Sequence, residues 1–302
     1  FGLNLQSTMN ATALLIGLGP LIGWGLYPTI ASKIGGRPVN QILGSTLGTL
    51  IFAIIFAMIN GLKLPTGTNL LFSIISGIGW ASAQIVTFKV FAKVGSSRAV
   101  PITTAFQLLG ASLWGVIALG NWPGMMAKIM GGLALLFVII GATLTVWSEK
   151  KDAGNSRLLR QAVIWLAVGE IGYWAYSAAP QATTIDGMHA FLPQAIGMLL
   201  ASVVYAVFLS FRGEKSALTE SISYKHVFSG LFFAFAALTY LISAQPNMNG
   251  LATGFILSQT SAVLATLTGI WFLGQKKTMR EMQVTILGLV LILGAATVTV
   301  LI

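Results

Sequence analysis

The sequence predicts an all-α integral membrane protein of ten transmembrane helices, arranged as two inverted five-helix repeats. Three observations predict it. Of the 302 residues, 56% are hydrophobic and only 8% charged, with a mean hydropathy of +0.85, a balance that an ordinary soluble domain of this length does not show. The apolar residues gather into ten stretches of about 20 residues, each able to cross about 30 Å of hydrocarbon as a helix. The chain also resembles itself at an offset of about 150 residues. Helices are the form expected because they satisfy their own backbone groups where lipid cannot.

Each span has its own markers. Span one (12–32) carries Pro20, Trp24, Tyr27 and Pro28, and its interior prolines predict a kink. Span two (41–61) opens with Gln41, Gly44 and Gly48, and span three (69–92) carries Gly77, Gly79, Trp80 and Gln84. Span four (99–119) places Pro101 in its expected first turn, where proline is tolerated, and Gln107 near its centre. Span five (127–147) contains Gly131 and Gly132. Small residues of this kind predict close helix approach. The polar linker 148–160 (SEKKDAGNSRLLR) then leads to span six (161–180), which holds Glu170. Asp186 and His189 precede span seven (190–211), where Pro193 falls in the expected first turn; they either gate access or are simply solvated. A polar loop from Arg212 to Lys225 carries no motif and is expected to be a solvated connection before span eight (226–245). Gln259 lies near the centre of span nine (250–272), and span ten (282–302) closes the chain.

With ten spans, Lys33, Arg37, Lys89, Lys93, Arg98, Lys150, Lys151, Arg157, Arg160, Arg212, Lys215, Lys225, Lys276, Lys277 and Arg280 fall on one side, and only Lys63 and Lys128 on the other. Positive residues are retained in the cytoplasm, so the fifteen mark the cytoplasmic face and both termini are expected outside the cell membrane. This asymmetry accounts for the net charge of +10 without a nucleic-acid partner. The chain has no cysteine, so disulfides and thiolate metal sites are excluded. A cleavable signal is not expected, because the first apolar run is long enough to span and lacks a basic flank. Met9-Asn10 looks like a natural start, which would make residues 1–8 an artificial leader.

The self-similarity pairs Trp24 with Trp174 at an offset of 150, and Gln41-x-x-Gly44-x-x-Leu47 with Gln194-x-x-Gly197-x-x-Leu200 at 153. Ser76-Gly77 pairs with Ser229-Gly230, Gln107 with Gln259, and Gly141-Ala142 with Gly294-Ala295. Residues 9–147 and 161–302 are therefore the two repeats. Five spans is an odd number, so the second repeat enters the membrane from the opposite face. Such inverted repeats underlie alternating access in many secondary transporters, with substrate bound near the midplane.

Glu170 is the acidic residue inside an apolar run. A charge at bilayer depth costs roughly 2.5 kcal/mol or more, so it is expected to have a partner, a water-filled cavity or a task. Proton coupling or substrate contact is one reading, and an interhelical hydrogen bond from a protonated carboxyl is the other. Tyr173, Trp174 and Ser177 follow it at helical spacing. Trp24 and Tyr27 occupy the related face of span one, so the two aromatic faces are expected to meet near the midplane. Aromatic faces suit the C–H surface of a sugar ring, and the carboxamides of Gln84, Gln107 and Gln259 offer donor and acceptor to hydroxyls. Trp80, one turn before Gln84, joins this candidate binding set. The alternative is that the aromatics pack between helices and the glutamines bond neighbouring helices. No phosphate-binding glycine loop, nucleophile and base pair, metal cluster or paired carboxylate appears in the spans, so neither an enzyme nor a cofactor is expected.

Three stretches carry a family resemblance: LIGLGPLIGWGLYPTIASKIGGRPVNQILGSTLGTL from Leu15 to Leu50, VGSSRAVPITTAFQLLGASLWGVIALGNWPG from Val94 to Gly124, and GEIGYWAYSAAPQATTIDG from Gly169 to Gly187. They resemble the ribose uptake members of the glucose/ribose porter family, within the drug/metabolite transporter superfamily. The resemblance runs through nearly the whole chain from Met9. It implies a ten-helix carrier that takes up a monosaccharide with the proton gradient, its partners being the sugar, protons and the lipid bilayer. Glucose uptake, uncoupled sugar diffusion and proton-coupled export of metabolites or drugs stand as the alternatives.

Overall fold

The computed structural model describes residues 11–244 and 247–302, with 250–253 described by backbone alone. Residues 1–8, expected to be a leader, the expected start at Met9 and the last expected residue of span eight, 245, lie outside the described residues. The described chain is helices joined by turns, with no strand. In order these are α1 (Ala11–Ile34), α2 (Pro38–Ile59), α3 (Gly67–Val94), α4 (Ser96–Ala118), α5 (Met125–Thr145), α6 (Ala153–Ala178), α7 (Gly187–Phe211), α8 (Ser221–Ser243), α9 (Gly254–Phe272, interrupted at Thr260) and α10 (Met279–Leu301). Nine of them, all but α6, are long and apolar enough to cross a membrane, and the chain is a multi-pass membrane protein. Glu170 and the tyrosines and tryptophans around it lower the hydropathy of α6, which is nonetheless a helix of 26 residues.

Several helices begin before their apolar stretches do. Asp152 accepts from the Gly154 N–H at 2.9 Å, so α6 starts at Ala153 rather than 161. Asp186 accepts from the His189 N–H at 2.9 Å and starts α7 at Gly187. Thr278 and Glu281 exchange hydrogen bonds at 3.1 and 2.8 Å to start α10. These side chains satisfy the orphan donors of the first turn, which lets the helix run beyond the hydrocarbon. With α7 started by Asp186 and α4 starting at Ser96 directly after Gly95, Pro193 and Pro101 are interior residues of their helices, not first-turn residues. Pro28 is interior to α1, while Pro20 sits in the first turn after an irregularity at Leu18.

The Asp186 and His189 pair is thus a helix cap, closed by a ring contact of 2.8 Å. Partial burial pushes the Asp186 carboxyl up, but hydrogen bonds from the His189 backbone and ring outweigh it and hold the group below its ordinary value.

The main packing partners are α3 with α6, α1 with α8, α3 with α7, α2 with α8, α4 with α6, α1 with α9, and the pairs α2 with α7, α4 with α9 and α5 with α10. Exchanging each helix for the one five places away returns the same set. Glycines make the closest crossings. A Cβ added at Gly77 would overlap the Gln194 carbonyl oxygen, and one at Gly230 the Ser45 carbonyl oxygen. Gly44 lies in the same way against Ser223, and Gly197 against Ile74. Gly132 meets nothing within 4 Å and makes no such contact.

At the lysine- and arginine-rich end, α3 turns into α4 through Gly95 alone, at a φ of 86°. The Ser97 N–H donates to Gln275 Oε1 at 2.8 Å, and the hydroxyls of Thr29 and Thr268 bond at 2.6 Å between α1 and α9. The Arg212–Lys225 loop is tied down rather than free: Arg37 donates to Glu214 at 3.1 Å, to the Lys215 carbonyl at 2.8 Å and to Glu220. The bonds from Arg37 and Asn40 hold the Glu220 carboxyl below its ordinary value. Lys277 caps α5, donating to the Thr145 carbonyl at 2.6 Å and to Thr285 Oγ1 at 2.7 Å. Burial and the nearby Arg98 push its amine down to about 8, against the pull of Glu281. At the opposite end the Trp122 indole caps α10 by donating to the Thr299 carbonyl at 2.9 Å.

Candidate functional site

A cavity of about 310 Å³ lies among α1, α3, α4, α6, α8 and α9, large enough for a small ligand. Glu170, Gln84, Gln107, Gln259, Trp24, Tyr27, Trp80, Tyr173 and Trp174 all line it. These nine residues come from five helices and are brought together only by the fold. The cavity reaches down to Phe91 and Val100 at the basic end. In the other direction it extends to Leu119, Asn121 and Gln181, at the end with few cations.

Its floor and one wall are aromatic. Trp80 lies on Phe233 with ring centroids 4.3 Å apart, Tyr27 meets Phe233 at 5.6 Å, and Trp24 meets Tyr240 at 5.6 Å. Trp174 packs edge-on against Trp114 at 5.2 Å, and the Trp114 indole donates to Gln181 at 3.2 Å. The two expected aromatic faces therefore do not pack on each other. Trp24 is backed by α8 and Trp174 by α4, and both border the cavity. The reason is steric: α1 and α6 each spend a glycine-bearing face on a neighbouring helix, at Gly23 against Phe232 and at Gly172 against Gly79.

The polar groups are held unequally. The Tyr173 hydroxyl donates to Gln84 Oε1 at 2.7 Å and bonds Thr87 Oγ1 at 2.9 Å. Gln107 spends its nitrogen on a long 3.4 Å bond to Thr103, and Gln259 on a 3.3 Å bond to Ser258. Both leave their oxygen ends without a bond among the described residues. Trp24 Nε1, the Tyr27 hydroxyl and Glu170 Oε2 are buried without a hydrogen-bond partner, a state that costs about 1–3 kcal/mol each unless something else satisfies them. Glu170 reaches from α6 against Gly110 of α4, one turn from Gln107; the absence of a side chain at 110 makes room for its carboxyl. The cavity thus offers an aromatic platform, free amide ends of both kinds and one carboxyl, which is the equipment for a small polyhydroxylated ligand.

Sequence reasoning missed several lining residues. Phe233 and Tyr240 lie in α8, an apolar run in which an aromatic residue has no distinguishing mark. Thr87, on the face of α3 shared with Gln84 and Trp80, was legible from spacing. Asn121 sits in the loop after α4 and Gln181 in a short 3-10 helix after α6, connections where polar residues are commonplace.

Comparison with known proteins gives a consistent picture. The family described as sugar transport protein matches residues 15–302. A protein of Lactiplantibacillus plantarum, provisionally named a ribose uptake protein, is 80% identical over 97% of this chain and 99% of its own length. Proteins with the same name from Enterococcus faecalis and Lactobacillus johnsonii are 72% and 68% identical, each over 97% of this chain and the whole of their own. A solved crystal structure of 16% identity superposes with a TM-score of 0.64, covering 95% of this chain and 98% of that one, a likeness of fold alone.

Proposed function

Because the chain belongs to the sugar transport protein family, we propose that it takes up a monosaccharide, ribose in particular, by proton symport and alternating access. The observation that carries this reading is the convergence of three carboxamides, a tryptophan and tyrosine platform and the carboxyl of Glu170 on one cavity. The names of the similar proteins support ribose as the sugar. In this reading the sugar ring lies on Trp24, Trp80 and Phe233, and its hydroxyls bond Gln84, Gln107 and Gln259. Trp174 and Tyr27 border the same volume.

Glu170 takes a proton from outside and releases it inside. Its unpartnered oxygen and its place on the cavity wall support that role, since a carboxyl already satisfied by a neighbouring helix would have no reason to exchange its proton. Ten spans in two inverted repeats follow if α6 crosses with the other nine. The packing scheme that survives a shift of five helices supports the duplication. The fifteen cations gathered at one end support a cytoplasmic assignment for it, which puts the end of the cavity at Leu119, Asn121 and Gln181 outside. The seal at Ser97, Gln275, Thr29 and Thr268 then lies on the cytoplasmic side, as in a carrier waiting for external substrate.

The test is labelled ribose uptake by right-side-out vesicles containing the protein, with external pH recorded. Accumulation with transient alkalinisation of the medium is expected. Uptake without a pH change would replace symport by facilitated diffusion, and no saturable ribose uptake would remove ribose as the substrate.

A further inference from the structure

Resting on the reading of the cavity as a sugar site, we propose that Tyr173 is a positioning residue rather than a sugar contact, and that it sets selectivity by fixing the orientation of Gln84. Tyr173 is buried, and its hydroxyl is fully engaged: its single proton goes to Gln84 Oε1 at 2.7 Å, and Thr87 Oγ1 lies 2.9 Å away. With the phenol proton committed to Gln84, Thr87 is the donor in the second bond. The Ala83 carbonyl at 3.0 Å is the competing acceptor for the Thr87 hydroxyl. A carboxamide whose oxygen is claimed by a fixed donor cannot rotate freely, so its N–H2 end stays on the cavity wall, where it has no partner among the described residues.

The other two amides differ. Gln107 and Gln259 are held at their nitrogen ends, and only by bonds of 3.4 and 3.3 Å within their own helices. The wall therefore presents one rigid donor on α3 facing two adjustable acceptors on α4 and α9. A rigid donor discriminates: it rewards one sugar hydroxyl placed to accept and penalises its loss, whereas the adjustable amides tolerate different hydroxyl arrangements.

The experiment is ribose transport by Tyr173→Phe, Gln84→Ala and the double variant, with each monodeoxyribose as competitor. Phenylalanine keeps the ring and removes only the hydroxyl. Tyr173→Phe is expected to raise KM for ribose about five-fold, the size of one lost hydrogen bond, with the maximal rate near wild type. It should also abolish discrimination against a single deoxyribose, the same one for which Gln84→Ala loses discrimination. The double variant should be no worse than Gln84→Ala, because the phenol acts only through the amide. Thr87→Val should shift KM in the same direction by less, and supplies the answer if Tyr173→Phe does not fold. Additive losses in the double variant, or unchanged deoxyribose selectivity in Tyr173→Phe, would overturn the assignment. If Gln84→Ala, Gln259→Ala and Trp24→Phe all leave ribose KM unchanged, the sugar-site reading itself fails and takes the assignment with it.

Discussion

Glu170, Trp24 and Tyr27 all line the cavity, and each carries a buried polar atom without a hydrogen-bond partner. Buried polar groups are normally paired, and unpaired ones on three lining residues support the proposed site. The free oxygen ends of Gln107 and Gln259 extend the pattern. Replacing either glutamine by alanine is expected to raise KM for ribose by about five-fold, one hydrogen bond each, while thermal stability in detergent stays near wild type because neither amide braces another helix. A KM unchanged in both variants would place the sugar elsewhere in the fold. These residues were legible in the sequence because an amide or a carboxyl is conspicuous in an apolar run. Phe233 and Tyr240 were not, since an aromatic side chain in a membrane helix serves lipid, neighbour and ligand equally well. Nor was the split between Gln84, locked by Tyr173, and the two loosely held amides, which depends on which helices become neighbours.

Among the helices, tight crossings are set by glycine and tolerate no added carbon. Gly77 meets the Gln194 carbonyl and Gly230 the Ser45 carbonyl, in crossings of α3 with α7 and of α8 with α2. Gly77→Ala and Gly230→Ala are each expected to destabilise the protein by about 1–3 kcal/mol through overpacking, read as a lower unfolding temperature in detergent. Gly132→Ala, with nothing within 4 Å, should leave it unchanged. Equal behaviour of all three would contradict these crossings. The helix centres were legible from hydropathy, but their starts were not. Asp152, Asp186 and the Thr278 and Glu281 pair carry α6, α7 and α10 outward past the apolar run, and α4 starts directly after the Gly95 turn, so Pro101 and Pro193, reckoned from the hydropathy edge, landed a turn too early. Facing could not be read either: in lipid a side chain need not be polar to point outward, as Met58 at 77% exposure and Ile117 at 80% illustrate.

Taken as a whole, the molecule carries hydrogen bonds between helices at its basic end and a cavity that extends to Leu119, Asn121 and Gln181 at the other. The repeat offset pointed to a duplication, yet the offset alone gave no hint that α3 would pack on α6 and α7, helices from beyond the linker, beside the cavity. The proposed seal can be fixed chemically, because the chain has no cysteine of its own and the Thr29 and Thr268 hydroxyls are 2.6 Å apart. Oxidation of Thr29→Cys with Thr268→Cys is expected to abolish uptake while leaving ribose binding from outside intact, with recovery on reduction. Full activity in the crosslinked protein would show that this seal does not open during transport. The central claim, that Glu170 couples protons to sugar movement, is tested most directly in proteoliposomes by comparing wild type with Glu170→Gln for gradient-driven ribose uptake and for counterflow without a gradient. The account predicts that the variant loses the first and keeps the second; retention of gradient-driven accumulation by Glu170→Gln would contradict it.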